Sequence, residues 1–544
     1  MQRSHDSVLS RRSLIGGGLA VGAVGLAATA CSNEGRGGAP QPDAGGDGKT
    51  SLPTHVRYEG VKPDLSGAEQ GIDDGFLSYP EGPIQAVTEP PGDGQPITVM
   101  TGTTQPIPPG LNNNVFWQRL NEAVGSPIEI SLTPVEDYGD KFATVVAGNR
   151  LPDIFQVASV AQRAQLLAAT AVELTPLLAG DKIKKYPHLA NIQTASWRAG
   201  LVGGQLYGIP IPRGPISTQV LYSRADILEP MGLTGDPRSL DDFVELCGQL
   251  TDPRRNRWAL TVAPTVYVRQ MFGVPNAWSL DGDNLVSANE HPGHEPALEA
   301  VRKLWQAKHI NPDGFGGQNT DHKIRFGNGT CPLAVDTFSG WPGLVEALPG
   351  GRGTFRILPV PLHDGSGPGR AWMGGPTLHT VSINKNSESR IETILSYLDY
   401  LAAPFGTKEH LFVKYGLEGV HHQRQNGNPV LTDKGKSETR LELGYQAAAP
   451  YALFVPTQEG GTQAMYDAQS KIIPTAQTNP VAGLYSETDS RKGAQINKGV
   501  NDIVEEIIQG RRPVSAWSEE VKKWKSGGGD QIRDELAEAR QAAG

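Results

Sequence analysis

Three cysteines in 544 residues exclude a disulfide-dense scaffold. Lysine and arginine number 49 against 58 acidic residues, a net charge of -9. The chain therefore lacks the basic footprint that phosphate neutralisation requires, and nucleic acid is not an expected partner. The apolar run from Leu14 to Ala30 is broken by Gly16, Gly17, Gly18, Gly22 and Gly25 and falls short of the ~20 residues a membrane span needs. Aromatic residues make up only 7%, yet 38% hydrophobic and 20% charged residues leave ample material for a core, which excludes wholesale disorder.

Enzyme signatures are scarce as well. Gly48-Lys49-Thr50 resembles the end of a phosphate-binding loop, but Asp43 stands where that loop needs glycine and no strand precedes it. His421 and His422 are adjacent, so one helix face cannot aim both at a metal, and a surface loop is the expected setting. His363-Asp364-Gly365-Ser366-Gly367 lacks the first glycine of a nucleophile elbow. Asp281-Gly282-Asp283-Asn284 opens like a calcium loop, and Leu285 breaks its ligand alternation. No catalytic residue, cofactor or metal is expected.

What the chain has in excess is punctuation: Gly 66 and Pro 42 make up about a fifth of it, against a background near ~12%. Ser10-Arg11-Arg12-Ser13-Leu14-Ile15 and the apolar run behind it read as an export signal over 1–30, twin-arginine in type, with an ordinary secretory signal as the alternative. Ala28-Thr29-Ala30-Cys31 resembles a lipoprotein cleavage site, which makes Cys31 the expected lipidated residue. Cleavage there removes three arginines and one aspartate and leaves the chain more acidic. Residues 31–57 follow as a Gly-, Pro- and Asp-rich tether, and 58–95 as an extended arm in which Tyr58, Leu65, Phe76, Leu77 and Tyr79 recur. Cys247 and Cys331 can form one disulfide, but Cys247 falls in the stripe Leu240, Phe243, Val244, Cys247, where a free cysteine acts as a small core hydrophobe.

From Ile97 the pattern alternates strand and helix: Ile97-Thr98-Val99-Met100, a helix through Val115 to Val124, the period-two run Ile128 to Leu132, a helix near Tyr138 to Ala147, and Leu151 to Val157. Such alternation implies α/β lobes with mostly parallel sheets flanked by helices. Later helices present Leu298, Val301 and Leu304, then Ile394, Leu395 and Leu398, then Val500, Ile503, Val504 and Ile507.

Several strings, in order, carry a resemblance. They are Leu151-Pro152-Asp153-Ile154-Phe155, Gly203-Gly204-Gln205-Leu206-Tyr207-Gly208-Ile209-Pro210, Val220-Leu221-Tyr222-Ser223-Arg224, Ser239-Leu240-Asp241-Asp242-Phe243, Phe326-Gly327-Asn328-Gly329-Thr330 and Tyr415-Gly416-Leu417-Glu418-Gly419. The series resembles the extracellular solute-binding proteins of family 1, the capture subunits of ATP-driven (ABC) importers. The resemblance implies a two-lobed periplasmic-binding-protein-like fold of type II with a hinge between the lobes. Lobe one is expected at 96–211 and 376–414, lobe two at 217–373 and 421–510, with crossings near Ile209 to Pro215, Gly374 to Pro376 and Tyr415 to His421, and a C-terminal helical segment at 511–544. It also implies a monomer on the outer face of the cytoplasmic membrane, held by a lipid anchor, partnered by ABC permease subunits in the membrane and binding a carbohydrate, an oligosaccharide, between its lobes. Where some relatives carry a calcium loop, Arg254, Arg255 and Arg257 stand here, so no calcium is expected. Trp341, just after a strand, is the leading ligand-stacking candidate, its other reading being a lid tryptophan packed in lobe two. Trp372, Gln105, Asn113, Ser159, Tyr222 and Glu418 are further ligand-binding candidates. Two rivals stay open: a secreted polysaccharide-degrading enzyme, and a ligand sensor docking on a membrane receptor.

Overall fold

A computed structural model describes residues 52–67, 71–160, 162–315, 319–349 and 353–543. The export signal, Cys31 and most of the expected tether lie outside the described residues. The described residues form one compact unit.

The first lobe is built around β1 (Ile97–Thr103), in which Ile97, Val99 and Met100 stand among small Thr and Gly residues and six of the seven positions are buried, as expected for a strand covered on both faces. The helix Val115–Val124 follows, started by the Asn114 side chain accepting from the Trp117 N–H and stopped by Gly125 in the left-handed region. β2 (Ile128–Pro134) and β3 (Ile154–Gln156) both pair parallel with β1, and Ile97 stands opposite Ile128. The chain then makes β4 (Ile209–Pro212), β5 (Gln219–Arg224), β6 (Leu333–Thr337), β7 (Phe355–Ile357) and β8 (Thr377–Ile383). The first sheet has the order β2-β1-β3-β8-β4, with β8 antiparallel to both its neighbours, so four of its strands run one way.

The second sheet, β6-β5-β7, is antiparallel throughout, and this corrects the mostly parallel sheet expected for lobe two. The alternation of strand and helix implied parallel pairing, but in lobe two it does not fix strand direction. One apolar cluster takes Leu221, Leu333 and Val335, and another takes Val220, Tyr222 and Ala334. Both faces of an antiparallel sheet are thus covered. The first of these clusters also holds Cys247 and the C-terminal Trp517, Trp524, Ile532 and Leu536. Cys247 and Cys331 are both free and buried.

The third crossing also needs correction. Leu441, Leu443 and Ala447 belong to the core around β1, whereas Leu453, Val455 and Met465 belong to the core under β5. The chain therefore changes lobes at 448–453, not at Tyr415 to His421, and residues 421–447 join lobe one. The reason is a buried pair: His421 and His422 are 0% and 1% exposed, which overturns the surface-loop reading. His421 Nε2 meets Glu438 Oε2 at 3.1 Å, and the same carboxylate accepts the Val115 N–H at 2.8 Å. It thereby ties this segment to the start of the helix Val115–Val124. Tyr415-Gly416 is only a helix stop, with Gly416 at φ 67.

The two earlier crossings run side by side. Arg213 N–H donates to the Pro376 carbonyl at 2.9 Å, Gly374 N–H to Pro215 at 3.1 Å, and Ser217 Oγ to the Gly375 carbonyl at 2.8 Å. A Cβ on Gly374 would stand 1.6 Å from Ser217 Oγ, so this approach admits only glycine. The arm links distant parts. The Thr54 and Val56 N–H groups donate to the Gly180 and Ala190 carbonyls, so the last residues of the expected tether dock on lobe one. Phe76 stacks on Phe405 at 4.2 Å, and the Asp73 N–H donates to Gln469 in the lobe-two helix Gly461–Ile472.

Candidate functional site

Between the lobes lies a cleft of about 980 Å3 that reaches strand ends of both sheets and the first and third crossings. This is where ligands bind in open α/β sheets. A neighbouring chamber of about 990 Å3 shares Pro342, Glu346, Tyr415, Leu431 and Phe454 with it. A groove of about 560 Å3 beside β2 touches lobe one alone. Only the first cleft brings strand-end polar groups of the two sheets together.

Lobe one supplies Gln105, Gln156, His379, Lys414 and Tyr445. Gln156 ends β3, and its side-chain oxygen is fixed by Thr101 Oγ1 at 2.9 Å and the Gly102 N–H at 2.8 Å. Gln105 is placed by its N–H bond to Thr103 Oγ1, which in turn donates to Glu442 at 2.6 Å. His379, on β8, contacts the Tyr445 carbonyl through Nε2 at 2.9 Å, and burial with the Arg213 charge nearby pushes its pKa down to about 4 despite that bond. It is a neutral ring at physiological pH.

Lobe two supplies Gln219, His322, Lys323, Asp336, Thr337 and Ser339. Asp336 is held by the Thr337 N–H at 2.7 Å, His322 Nε2 at 3.2 Å and Lys323 Nζ at 3.6 Å. Burial alone would raise its pKa, but His322, Lys323 and the backbone bond overcompensate, and the carboxylate stays ionised. Arg213, in the first crossing, reaches Ser339 Oγ at 3.3 Å and links the hinge to the lobe-two wall. Tyr451 lines the cleft from the third crossing.

Of the residues expected to bind ligand, the cleft takes in Gln105 alone. Trp341 is 1% exposed, its indole N–H donates to Gln458 at 2.8 Å, and its ring packs on Phe355 at 4.9 Å. It starts the helix Trp341–Glu346, and that helix folds the ring under the wall. Tyr222 is 0% exposed, its hydroxyl shared between the Thr337 and Phe338 carbonyls, because its position on β5 faces the core. Trp372 braces the crossings: its N–H donates to the Val274 carbonyl and its own carbonyl accepts from Thr218. Asn113 lies exposed in the short helix Leu111–Asn113, outside the cleft lining. Ser159 is exposed three residues past Gln156, the side chain that does reach the cleft. Glu418 is exposed near Arg424, at 3.7 Å, on the segment misplaced with the third crossing. The same misplacement hid Tyr445 and Tyr451, whereas Gln156 stood one step past a named string and Arg213 lay inside the expected first crossing.

Residues 117–410 match the family described as bacterial extracellular solute-binding protein, more than half of the chain. Lipoprotein LipO of Bacillus subtilis (strain 168) is 23% identical over 483 residues, covering 83% of this chain and 93% of the relative. Polygalacturonan/rhamnogalacturonan-binding protein YtcQ of the same organism is 21% identical over 452 residues, covering 78% and 88%. Among solved structures, alginate-binding protein AlgQ2 without calcium ion superposes with a TM-score of 0.63 at 15% identity, covering 85% of this chain and 100% of that one. The Streptococcus pneumoniae ABC-transporter substrate-binding protein FusA in complex with kestose gives 0.62 at 15% identity, covering 82% and 99%. These likenesses show the two-lobed fold. With the family match over 117–410, they establish that this chain belongs to the bacterial extracellular solute-binding proteins.

Proposed function

We propose that this protein captures a carbohydrate, an oligosaccharide, in the inter-lobe cleft and delivers it to the membrane permease of an ATP-driven importer. The observation that carries the reading is the cleft itself, with amides from both walls, Gln105, Gln156 and Gln219, beside Tyr445 and Tyr451. Planar amides suit sugar hydroxyls, and tyrosine faces suit the C–H surfaces of the rings. Relatives named for polygalacturonan/rhamnogalacturonan and alginate binding, and one solved with kestose, support the same class. Ligand favours the closed arrangement because only that form contacts it from both lobes.

The lipoprotein-type signal and Cys31 support anchoring at the outer face of the cytoplasmic membrane, where a permease is within reach. Two acyl chains suffice for stable anchoring where one does not. The protein works as a binding protein, not an enzyme, and as a monomer.

Thermal-shift screening against mono- and oligosaccharides tests the ligand class. Stabilisation by oligosaccharides is expected, and silence toward all sugars with a response to peptides overturns it. Turnover of a glycan by the purified protein would instead favour the enzyme. Cys31→Ala should release the protein to the medium, and continued membrane retention refutes the anchor.

A further inference from the structure

The chamber beside the cleft is as large as the cleft itself, about 990 Å3 against about 980 Å3. Each alone reaches the upper end of the about 300–1,000 Å3 that small-molecule sites occupy. The chamber also lies between the lobes. One wall is the lobe-one hairpin of strands His422–Gln425 and Asn428–Leu431, the other is the lobe-two segment Phe454 to Gln463, and the arm adds Leu77.

Local sequence explains the hairpin wall. Asn426-Gly427 is a two-residue turn with φ 50 and φ 80, the primed kind that Asn-Gly favours, and it sets Gln425 opposite Asn428. The amides of Gln425, Asn426 and Asn428 all line the chamber. Asn428 is oriented by the arm: its Oδ1 accepts the Tyr79 N–H at 2.7 Å, which turns its amide hydrogens to another partner. Across the chamber Gln463 gives its amide nitrogen to Asp467 at 2.8 Å and keeps its side-chain oxygen as an acceptor.

The two spaces are continuous. Pro342 and Glu346 of lobe two, Tyr415 and Leu431 of lobe one, and Phe454 line both. The half-buried rings of Tyr415 and Phe454 are set by one residue of the arm. Tyr79, 2% exposed, meets Phe454 at 5.8 Å and Tyr415 at 6.2 Å, and its hydroxyl donates to the Thr407 carbonyl at 3.2 Å. Aromatic rings at the neck with amides beyond it repeat the pairing of Tyr445 and Tyr451 with the glutamines of the cleft.

Resting on the carbohydrate reading above, we infer that the bound oligosaccharide continues past Tyr415 and Phe454 into the second chamber, where Gln425, Asn426 and Asn428 receive its further units. Chain length then sets affinity, and the arm is part of the binding site. A sugar short enough for the cleft leaves the second chamber to water.

Isothermal titration of the purified protein with the di- and hexasaccharides of three series, galacturonan, mannan and fructan, tests this. In a series that binds, the hexasaccharide should be held at least ~10-fold more tightly than the disaccharide. Gln425 and Leu77 are exposed and line the second chamber alone. Gln425→Ala combined with Leu77→Ala should remove most of the gain from length and leave disaccharide affinity where it was. A gain that survives the double substitution, a loss equal for both lengths, or no gain from length overturns the extension and leaves the carbohydrate reading standing. Silence across all three series overturns both. Hydrogen exchange of the unsubstituted protein decides independently of the variant: hexasaccharide should slow exchange over 423–428 and disaccharide should not. Equal protection there by the two lengths overturns the extension.

Discussion

The two walls of the cleft use their aromatic residues in opposite ways. In lobe two, Tyr222, Phe338, Trp341 and Phe355 lie beneath the wall and form its core, so that what faces the cleft there is polar: Gln219, Asp336, Thr337 and Ser339. On the lobe-one side and in the third crossing, Tyr445 and Tyr451 face the cleft, while the core beneath β1 is mainly aliphatic. The difference teaches that an aromatic just past a strand is not thereby a binding platform. Trp341 opens a helix that turns it inward, whereas Tyr451 sits on a crossing segment with no helix to cover it.

The strongest test of this contrast is Trp341→Ala. Removing a buried tryptophan should destabilise the protein by about 3–5 kcal/mol, read from urea unfolding, while the folded fraction keeps its affinity for the ligand. A stable variant that has lost ligand binding would return Trp341 to the cleft. On the other side of the hinge, Glu438→Gln should cost about 2 kcal/mol near neutral pH, since it weakens charge-assisted bonds to His421 and the Val115 N–H. Burial pushes the Glu438 pKa up, but the His421 bond and the Phe116 and Val115 N–H groups outweigh it and hold the pKa below its ordinary 4.5. A depressed carboxyl pKa contributes stability above the unfolded value, and that contribution is lost as pH falls through the folded one. The gap between parent and variant in thermal melts should therefore narrow as the pH falls below the carboxyl's ordinary 4.5. A constant gap would mean that the carboxylate's charge contributes nothing to the tie.

The same contrast explains which parts of the molecule were legible in the sequence. β1, β2 and their helices announce themselves by short apolar-rich strands, alternating in β2, with Asn114 as cap and Gly125 as stop, because these are local signals. The direction of β6 and β7 is set by long insertions between them and β5, and no local pattern encodes it. The 421–447 segment joins lobe one through a carboxylate on Glu438 meeting a helix start more than three hundred residues earlier, a partnership invisible at either end. Gln105 was found because strand-end position alone implies cleft exposure. Tyr445 and Tyr451 were missed because their exposure follows from where the chain crosses, not from their neighbours.

Tyr445→Ala sharpens the contrast from the cleft side. Its effect should be about a tenfold loss of ligand affinity, roughly 1.4 kcal/mol, with little change in melting temperature, the reverse of the Trp341 signature. A large fall in stability without loss of affinity would mean that this tyrosine, like Trp341, belongs to the core.

The smallest expected effect concerns what joins the two lobes outside the crossings. Asp73, on the arm, accepts from Gln469 Nε2 at 2.7 Å in lobe two and lies so close to the first crossing that a Cβ on Gly214 would stand 2.3 Å from its Oδ2. Burial pushes its pKa up to about 7, partly offset by the Gln469 bond and reinforced by Asp74. A raised carboxyl pKa means that the folded state resists ionisation, so stability falls as pH rises from the unfolded value of 3.8 through about 7. Asp73→Asn keeps an acceptor for Gln469 and removes the charge. Because the group is only half-buried, the gain should be modest, below about 1 kcal/mol. It should appear as a higher melting temperature at pH 8 and vanish at pH 4. If the variant is instead less stable at pH 8, the ionised carboxylate itself holds the arm to lobe two, and the two lobes are tied by charge as well as by their crossings.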